Sequence, residues 1–381
     1  MQFRTIPKLN ISVSALGFGC LRFPIHNNDY ENIDEEQTIK LLRHAIDNNI
    51  NFIDTAYPYH GGNSETVVGK ALQNGYRDKV YLATKLPVPK MESEEDFDKF
   101  LDEQLQKLNT DWIDFYFLHA LNPVNWEKTN KFNLLTKLDK AKQEGKIRYP
   151  AFSFHAGTEL FKEIIDAYDW PLTLVQFNYL DEYHQAGIEG IKYAAQNDVG
   201  VAIMEPLRGG RLGQNLPHEA NNLFNSVNEN RSPAQWALSW VLNYPEVTTV
   251  LSGMNSFKQL KENMTIATDT YPNSMTREEL KTIEDVKEIY KERIQIGCTD
   301  CRYCLPCEPE NIPISSIFNL YNELHLFKDQ DKAKQTYQKL IDGERDGGRC
   351  IECGACEQEC PQDIHIRSWL NKIHKELQAI N

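Results

Sequence analysis

From residue 15 to residue 253, short apolar runs of β character alternate with amphipathic stretches of helical period. This succession limits the fold more than any other feature of the chain. The runs are Ala15–Cys20, Phe52–Ala56, Val80–Lys85, Ile113–His119, Ile147–Phe154, Leu174–Asn178, Gly200–Pro206 and Thr248–Gly253. In the first helical pattern Asp34 is placed as N-cap, Gln37 follows three residues later, and Ile39, Leu42, Ala45 and Ile46 share one face. Others cover Phe97–Leu108 and Leu134–Glu144, and Ser232-Pro233-Ala234-Gln235 has the form of a capping box with proline at N1. A hairpin over Phe3–Val13 precedes them. Eight strand–helix units within about 250 residues predict an α/β fold, a (β/α)8 TIM barrel with parallel strands. The competing doubly wound open sheet usually begins with a glycine-rich fingerprint after the first strand, and Gly17-Phe18-Gly19 stops short of one.

The nine cysteines are unevenly spread. Cys20 stands alone, and at the end of the first run it reads as a small packed residue. The other eight are Cys298, Cys301, Cys304, Cys307, Cys350, Cys353, Cys356 and Cys360. Met1-Gln2-Phe3-Arg4 lacks the order of a signal peptide, so the expected location is cytoplasmic, where clustered thiols bind metal. The chain therefore divides into a barrel over 1–285 and a small α-helical iron–sulfur domain over 286–381. The first array has two residues between successive cysteines, and Pro309 follows it. The second has the spacing C-x2-C-x2-C-x3-C-P and contains Gly354. The second matches the two-cluster ferredoxin run residue for residue, whereas the first is one residue short before its last cysteine. In that run the last cysteine ligates the other cluster. One [4Fe–4S] cluster then takes Cys350, Cys353, Cys356 and Cys307, and the other takes Cys298, Cys301, Cys304 and Cys360. A single cluster, two zinc sites and a redox-switch disulfide set are the alternatives. Helical patterns over Ile314–Phe327 and Ala333–Ile341 separate the arrays. The net charge of −14 argues against nucleic acid as a partner. No run of eighteen apolar residues points to a membrane.

In a barrel of this kind, reactive groups lie at the C-terminal ends of the strands. Asp54, Lys85, His119, Ser153, Gln176, Asn178, Glu205 and Ser252 end the runs, and Tyr59 lies in the loop after the second. A carboxylate beside a lysine keeps the lysine charged, and an ammonium beside a phenol favours the phenolate. Such a phenol can give a proton to a carbonyl oxygen as hydride arrives, while a histidine hydrogen-bonds the same oxygen. Singly, each group reads as a scattered strand-end polar residue; together Asp54, Tyr59, Lys85 and His119 read as a site. Tyr57 is expected to point elsewhere, and His60 and His155 to be ordinary loop histidines.

These residues resemble the aldo-keto reductases. The matching segments are Ile53-Asp54-Thr55-Ala56 with Tyr59, Ser64-Glu65, Gly69, Ala83-Thr84-Lys85, Asp114–His119, Gly145–Arg148, Gln176-Phe177-Asn178 and Glu262-Asn263. The resemblance implies a catalytic tetrad of Asp54, Tyr59, Lys85 and His119, with Tyr59 as the acid. It implies NADP or NAD as cofactor. Ser153 and Gln176 would meet the nicotinamide amide, and Pro206, Leu207, Ser252, Gly253, Asn255, Gln259 and Asn263 would contact the rest. Phe154-His155, Met204 and Gln259 depart from the commonest family pattern. Gln259 replaces an arginine that in many members grips the 2′-phosphate of NADP, a role open to Lys258 or Arg211. The cysteine tail is similar to the ferredoxin-like tail on one branch of this family.

The expected activity is reduction of a small-molecule carbonyl or oxidation of an alcohol, with clusters that carry electrons or brace the tail and with a redox partner protein as a candidate. Hydride carries two electrons and each cluster takes one, yet the sequence has no flavin motif to split the pair. The alternative is a redox-sensing or nicotinamide-binding protein with little turnover.

Overall fold

In the computed structural model, residues 1–299, 301–308 and 310–379 are described; Pro309 lies outside them. A hairpin of β1 (Phe3–Ile6) and β2 (Ile11–Ser14) opens the chain. The barrel begins with β3 (Leu16–Gly19), α1 (Glu35–Asp47), β4 (Phe52–Asp54), α2 (Ser64–Ala71), β5 (Tyr81–Leu86) and α3 (Asp96–Leu108). It continues with β6 (Ile113–Leu121), α4 (Pro123–Lys131), α5 (Leu134–Gln143), β7 (Ile147–Phe154), α6 (Thr158–Ala167), β8 (Leu172–Gln176) and α7 (Gly187–Gln196). Then follow β9 (Gly200–Met204), α8 (His218–Asn228), α9 (Pro233–Leu242), β10 (Val247–Ser252) and α10 (Phe257–Asp269). The C-terminal helices are α11 (Arg277–Arg293), α12 (Ile314–Phe327), α13 (Gln330–Asp342), α14 (Ala355–Gln358) and α15 (Ile366–Gln378).

Strands β3 to β10 close into a barrel in which β10 pairs with both β9 and β3, and every pair is parallel. The eight runs expected from the sequence are these eight strands, with no end moved by more than two residues. Cys20 falls in a short 3-10 turn just after β3 instead of ending the strand. Phe52, Ala83, Phe115, Phe117, Ala151, Leu174, Ala202 and Leu251 fill the interior, and Ile6 and Val13 of the hairpin join the same cluster. Each fully buried leucine or phenylalanine among them contributes about 1.5–3 kcal/mol. Asp34 caps α1, its carboxylate accepting from the Gln37 N–H. Gly69 allows α2 to approach α3, because a Cβ there would lie 2.6 Å from the Lys107 carbonyl oxygen.

The chain forms two compact units, Met1–Leu207 with Ala234–Met275, and Arg208–Pro233 with Thr276–Asn381. The second unit takes in the segment after Leu207 as well as α11. In it α8 packs on α11, Arg293 donates to both carboxylate oxygens of Glu219 at 2.8 and 3.2 Å, and Arg231 pairs with Glu279 at 2.7 Å. The sequence division at 285/286 falls inside the continuous helix α11. A full capping box starts α11: Thr276 Oγ1 accepts from the Glu279 N–H, and Glu279 accepts from the Thr276 N–H. The core of this unit is built by Ile317, Phe318 and Tyr321 of α12, Ala333 and Tyr337 of α13, and Ile366, Leu370, Ile373 and Leu377 of α15. Cys304, Cys307, Cys350, Cys356 and Cys360 pack against its edge. Among the described residues, no helix is long and apolar enough to cross a membrane.

Candidate active site and cysteine arrays

Barrel closure brings the ends of β4, β5 and β6 side by side, and with them Asp54, Lys85 and His119. Lys85 Nζ donates to both carboxylate oxygens of Asp54, at 2.7 and 2.9 Å, and to the carbonyl oxygen of Thr55 at 2.7 Å. Three acceptors match the three protons of an ammonium. Nζ also lies 5.0 Å from the centroid of the Tyr59 ring, and Tyr59 meets His119 edge-on at 6.4 Å between centroids. All four side chains are buried. Burial pushes the Asp54 carboxyl above the ordinary carboxylate range, opposed by the Lys85 ammonium. Burial, helped by the Lys85 charge and His155, holds His119 far below the usual histidine range, so its imidazole is neutral. Burial raises the Cys20 thiol, with Asp54 adding to the rise, in keeping with a packed residue.

A backbone kink sets the direction of His119. The register of β6 on β7 shifts between Leu118 and Leu121, and Ala120 takes φ 55°. A positive φ on a non-glycine residue persists only where its surroundings hold it. Here the Ala120 N–H donates to Ser153 Oγ at 2.8 Å, and Asn125 Nδ2 donates to the Ala120 carbonyl at 2.8 Å. Sequence reading missed Asn125, which lies in the first turn of α4, a stretch that carries no motif. It also missed the purpose of Glu65. Glu65 Oε1 accepts from Thr84 Oγ1 and Gln104 Nε2, both at 2.6 Å; Gln104 Nε2 also donates to the Lys85 carbonyl at 3.0 Å, and Tyr116 donates to Gln104 Oε1 at 2.8 Å. This buried network fixes the backbone that carries Lys85.

The residues expected near a cofactor end β7 to β10 or follow them. Ser153 and Gln176 are buried, Ser153 Oγ being held by the Ala120 N–H and Gln176 Nε2 donating to Asp181 at 3.0 Å. Asp181 also receives Asn178 Nδ2 at 2.8 Å, a contact no sequence spacing announces. Pro206 is buried and Leu207 half-buried just beyond β9. Asn263 Nδ2 donates to Ser252 Oγ at 3.0 Å. The Asn255 N–H donates to Gln259 Oε1 at 2.9 Å, so Gln259 organises the loop into which it folds. Gly253 and Asn255 are exposed beside it, as is Lys258. Arg211, one candidate for a phosphate-gripping cation, donates to the Cys298 carbonyl at 3.0 Å within the second unit.

The remaining sequence candidates take structural positions. The Tyr57 hydroxyl donates to Glu103 at 3.2 Å. His60 is buried, lies 2.6 Å from the Tyr30 carbonyl oxygen and stacks on Tyr30 and Phe23. His155 is buried with its pKa lowered to about 4 by burial.

The cysteines fall into two neighbouring sets. Cys298, Cys301, Cys304 and Cys360 line one cavity, with Phe318 and Ile366 at its wall. Cys307, Cys350, Cys353 and Cys356 interact with one another; burial and these neighbours raise the Cys356 thiol to about 11. Cys304 feels Cys298, Cys360 and Cys356, so the two sets adjoin. Gly354 holds φ 78°, a turn that favours glycine. Among the described residues no group of three or more His, Cys, Asp or Glu is placed to hold a metal ion.

The fold is a closed parallel barrel with buried ionisable groups near the C-terminal ends of neighbouring strands. The aldo/keto reductase family profile matches residues 15–288, and that of a 4Fe–4S dicluster domain matches residues 297–365. The chain belongs to the aldo/keto reductase family and is an NAD(P)-dependent oxidoreductase with a C-terminal 4Fe–4S domain. It is 28% identical over 287 residues to probable aldo-keto reductase 1 of Glycine max, covering 66% of this chain and 80% of that one. It is 27% identical to L-galactose dehydrogenase of Arabidopsis thaliana, covering 76% and 96%. Among solved structures, an aldo-keto reductase from Bacillus halodurans in its holo form is similar with a TM-score of 0.61 at 27% identity, covering 75% of this chain and 96% of that chain. An aldo-keto reductase from Klebsiella pneumoniae in complex with NADPH shares the fold, with a TM-score of 0.61 at 24% identity over 75% and 95% of the chains.

Proposed function

We propose that the barrel reduces a small-molecule carbonyl, or oxidises the matching alcohol, with Tyr59 as proton donor and acceptor. One observation carries this reading: the Lys85 ammonium, held by Asp54 at 2.7 Å, lies 5.0 Å from the centre of the Tyr59 ring beside a neutral His119. The Lys85 charge favours the phenolate that remains when Tyr59 gives up its proton. Asp54 keeps that charge in place in a buried setting. Neutral His119 orients the substrate oxygen by hydrogen bonding without competing for the proton.

A bound nicotinamide cofactor supplies or accepts the hydride. The donor set fits its amide, since Ser153 Oγ accepts from Ala120 and keeps its own O–H to donate. Gln176 completes the amide site, while Pro206, Leu207, Ser252, Gly253, Asn255, Gln259 and Asn263 would hold the remainder of the cofactor. NADP is the preferred form, with exposed Lys258 as the cation near its 2′-phosphate.

The two sets of four cysteines match two [4Fe–4S] clusters in ligand type and number, though their thiols do not by themselves converge on a metal position, and such clusters would supply single-electron chemistry when bound. Cys298, Cys301, Cys304 and Cys360 would hold one, and Cys307, Cys350, Cys353 and Cys356 the other. The cavity shared by the first set supports this crossed assignment, because it brings Cys360 of the second array to three cysteines of the first. The hydride site thus belongs to residues 1–285 and the clusters to 286–381, in a cytoplasmic protein. Tyr59→Phe tests the first half: carbonyl reduction by NADPH should be almost lost with nucleotide binding retained, and unchanged turnover would remove Tyr59 from the role.

A further inference from the structure

We infer that α3 is a bracket for the hydride-transfer site, in which Glu103 and Gln104 are positioning residues. Glu103 sets the place of Tyr59 through Tyr57, and Gln104 sets that of Lys85 through its backbone. The inference rests on the reading of Tyr59 as proton donor. Phe100, Glu103, Gln104 and Lys107 follow the spacing i, i+3, i+4, i+7 and so share one face of α3. A helix packed on a barrel normally fills such a stripe with apolar residues. Here three of the four are polar, and Gln104 is fully buried. Burying an amide costs free energy unless its hydrogen bonds are made, and those of Gln104 go to the strand that carries Lys85 and to its neighbours.

Gln104 supplies a missing rung of the ladder. The pairing of β4 with β5 ends at Asp54 and Ala83, and the Thr55 N–H still donates to the Ala83 carbonyl at 2.9 Å. Carbonyls two residues apart on a strand point the same way, so that of Lys85 faces a side that β4 has already left. Gln104 Nε2 fills this place, donating to the Lys85 carbonyl at 3.0 Å. Glu65 Oε1 and the Tyr116 hydroxyl hold the amide at its two ends, at 2.6 and 2.8 Å. Without the amide, β6 alone pairs with the end of β5.

Glu103, one residue earlier, holds the loop of the acid. Its carboxylate accepts from the Tyr57 hydroxyl at 3.2 Å and pairs with Lys107 at 2.7 Å. Lys107 Nζ also lies 4.4 Å from the centroid of the Tyr57 ring, and Phe100 meets that ring edge-on at 5.1 Å between centroids. Three side chains of α3 therefore grip Tyr57. Only Pro58 separates it from Tyr59, and the proline ring fixes φ between them. A displacement of Tyr57 is passed to the phenol of Tyr59. One helix thus sets the spacing between the proton donor and the ammonium that favours its phenolate. A misplacement of about 1 Å at such a site can cost about 10²-fold in rate.

The test follows NADPH-dependent reduction of 4-nitrobenzaldehyde by the full chain across pH. Tyr57→Phe keeps the half-buried ring and removes only its bond to Glu103. It should lower kcat about tenfold, with NADPH affinity and the urea midpoint close to wild type. Glu103→Ala should do the same, whereas Glu103→Gln keeps an acceptor for the hydroxyl and should recover most of the loss. Gln104→Met keeps the volume and removes the donor to Lys85. The ammonium then favours the Tyr59 phenolate less, the phenol holds its proton longer, and the alkaline limb of reduction should move to higher pH. A purely structural role would lower the urea midpoint and leave that limb in place. If Gln104→Met does not fold, Tyr57→Phe and the two Glu103 variants still decide. Wild-type kcat in those variants would overturn the bracket. In a Tyr59→Phe background Tyr57→Phe should cost nothing further, and an equal loss there would also overturn it. Unchanged turnover in Tyr59→Phe alone would instead overturn the reading beneath it.

Discussion

The barrel site and the cysteine arrays place reactive groups by different means. Asp54, Lys85 and His119 stand on neighbouring strands whose register is fixed by the closed sheet, and a buried network from Glu65 to Tyr116 braces them. The geometry is therefore built before any ligand arrives. The eight thiols lie in loops and short turns at the edge of a small helical core. Their order depends on what they bind, since thiolates held together without a cation repel one another. One region positions its chemistry by backbone closure, and the other awaits an inorganic core.

The comparison can be broken or sharpened by four changes, from the largest effect to the smallest. Tyr59→Phe should lower kcat for carbonyl reduction by about 10²–10⁴-fold with iron content unaltered. A loss of iron in that variant would mean that the regions are not chemically separate. Asp54→Ala leaves the Lys85 ammonium buried without its carboxylate, a change that costs about 3–5 kcal/mol. The urea midpoint of the barrel transition should fall accordingly, and a midpoint equal to wild type would show that water replaces Asp54. Cys360→Ser should remove the cluster of Cys298, Cys301 and Cys304 and spare the other, as read by iron, labile sulfide and electron paramagnetic resonance. If the array with Cys350, Cys353 and Cys356 lost its cluster instead, the crossed assignment would be wrong.

The fourth change concerns pH. His155 titrates at about 4 in the folded chain against about 6.5 when unfolded. Folding therefore binds fewer protons, so the stability linked to His155 is complete above about 6.5 and declines as pH falls toward 4. His155→Gln should flatten this part of the urea-midpoint profile. An unaltered slope between pH 6.5 and 4.5 would assign the acid sensitivity to other groups, with His119 first among them.

The barrel was legible in the sequence because eight short, continuous apolar runs alternate with stretches of 3.6-residue period. The neighbourhood of Asp54, Lys85, His119 and Tyr59 was legible because each ends an apolar run or lies just after one. Asn125 and Asp181 were not, because their partners, the Ala120 carbonyl and the amides of Gln176 and Asn178, are set by the path of loops after strands. The grouping of the segment after Leu207 with α11 was equally hidden. It rests on ion pairs such as Arg293 with Glu219, distant in sequence and ordinary in type. The cysteine spacing disclosed the arrays, and the shared cavity of Cys298, Cys301, Cys304 and Cys360 favours the crossed grouping.

The central claim is that one chain carries a two-electron hydride site and a separate one-electron module. Anaerobic addition of NADPH alone to the oxidised, cluster-loaded protein tests it most directly, with the visible cluster absorbance recorded before and after a carbonyl substrate is added. The account predicts that the clusters keep their absorbance while NADPH is consumed only after the carbonyl is present. Bleaching of the clusters by NADPH alone would contradict it.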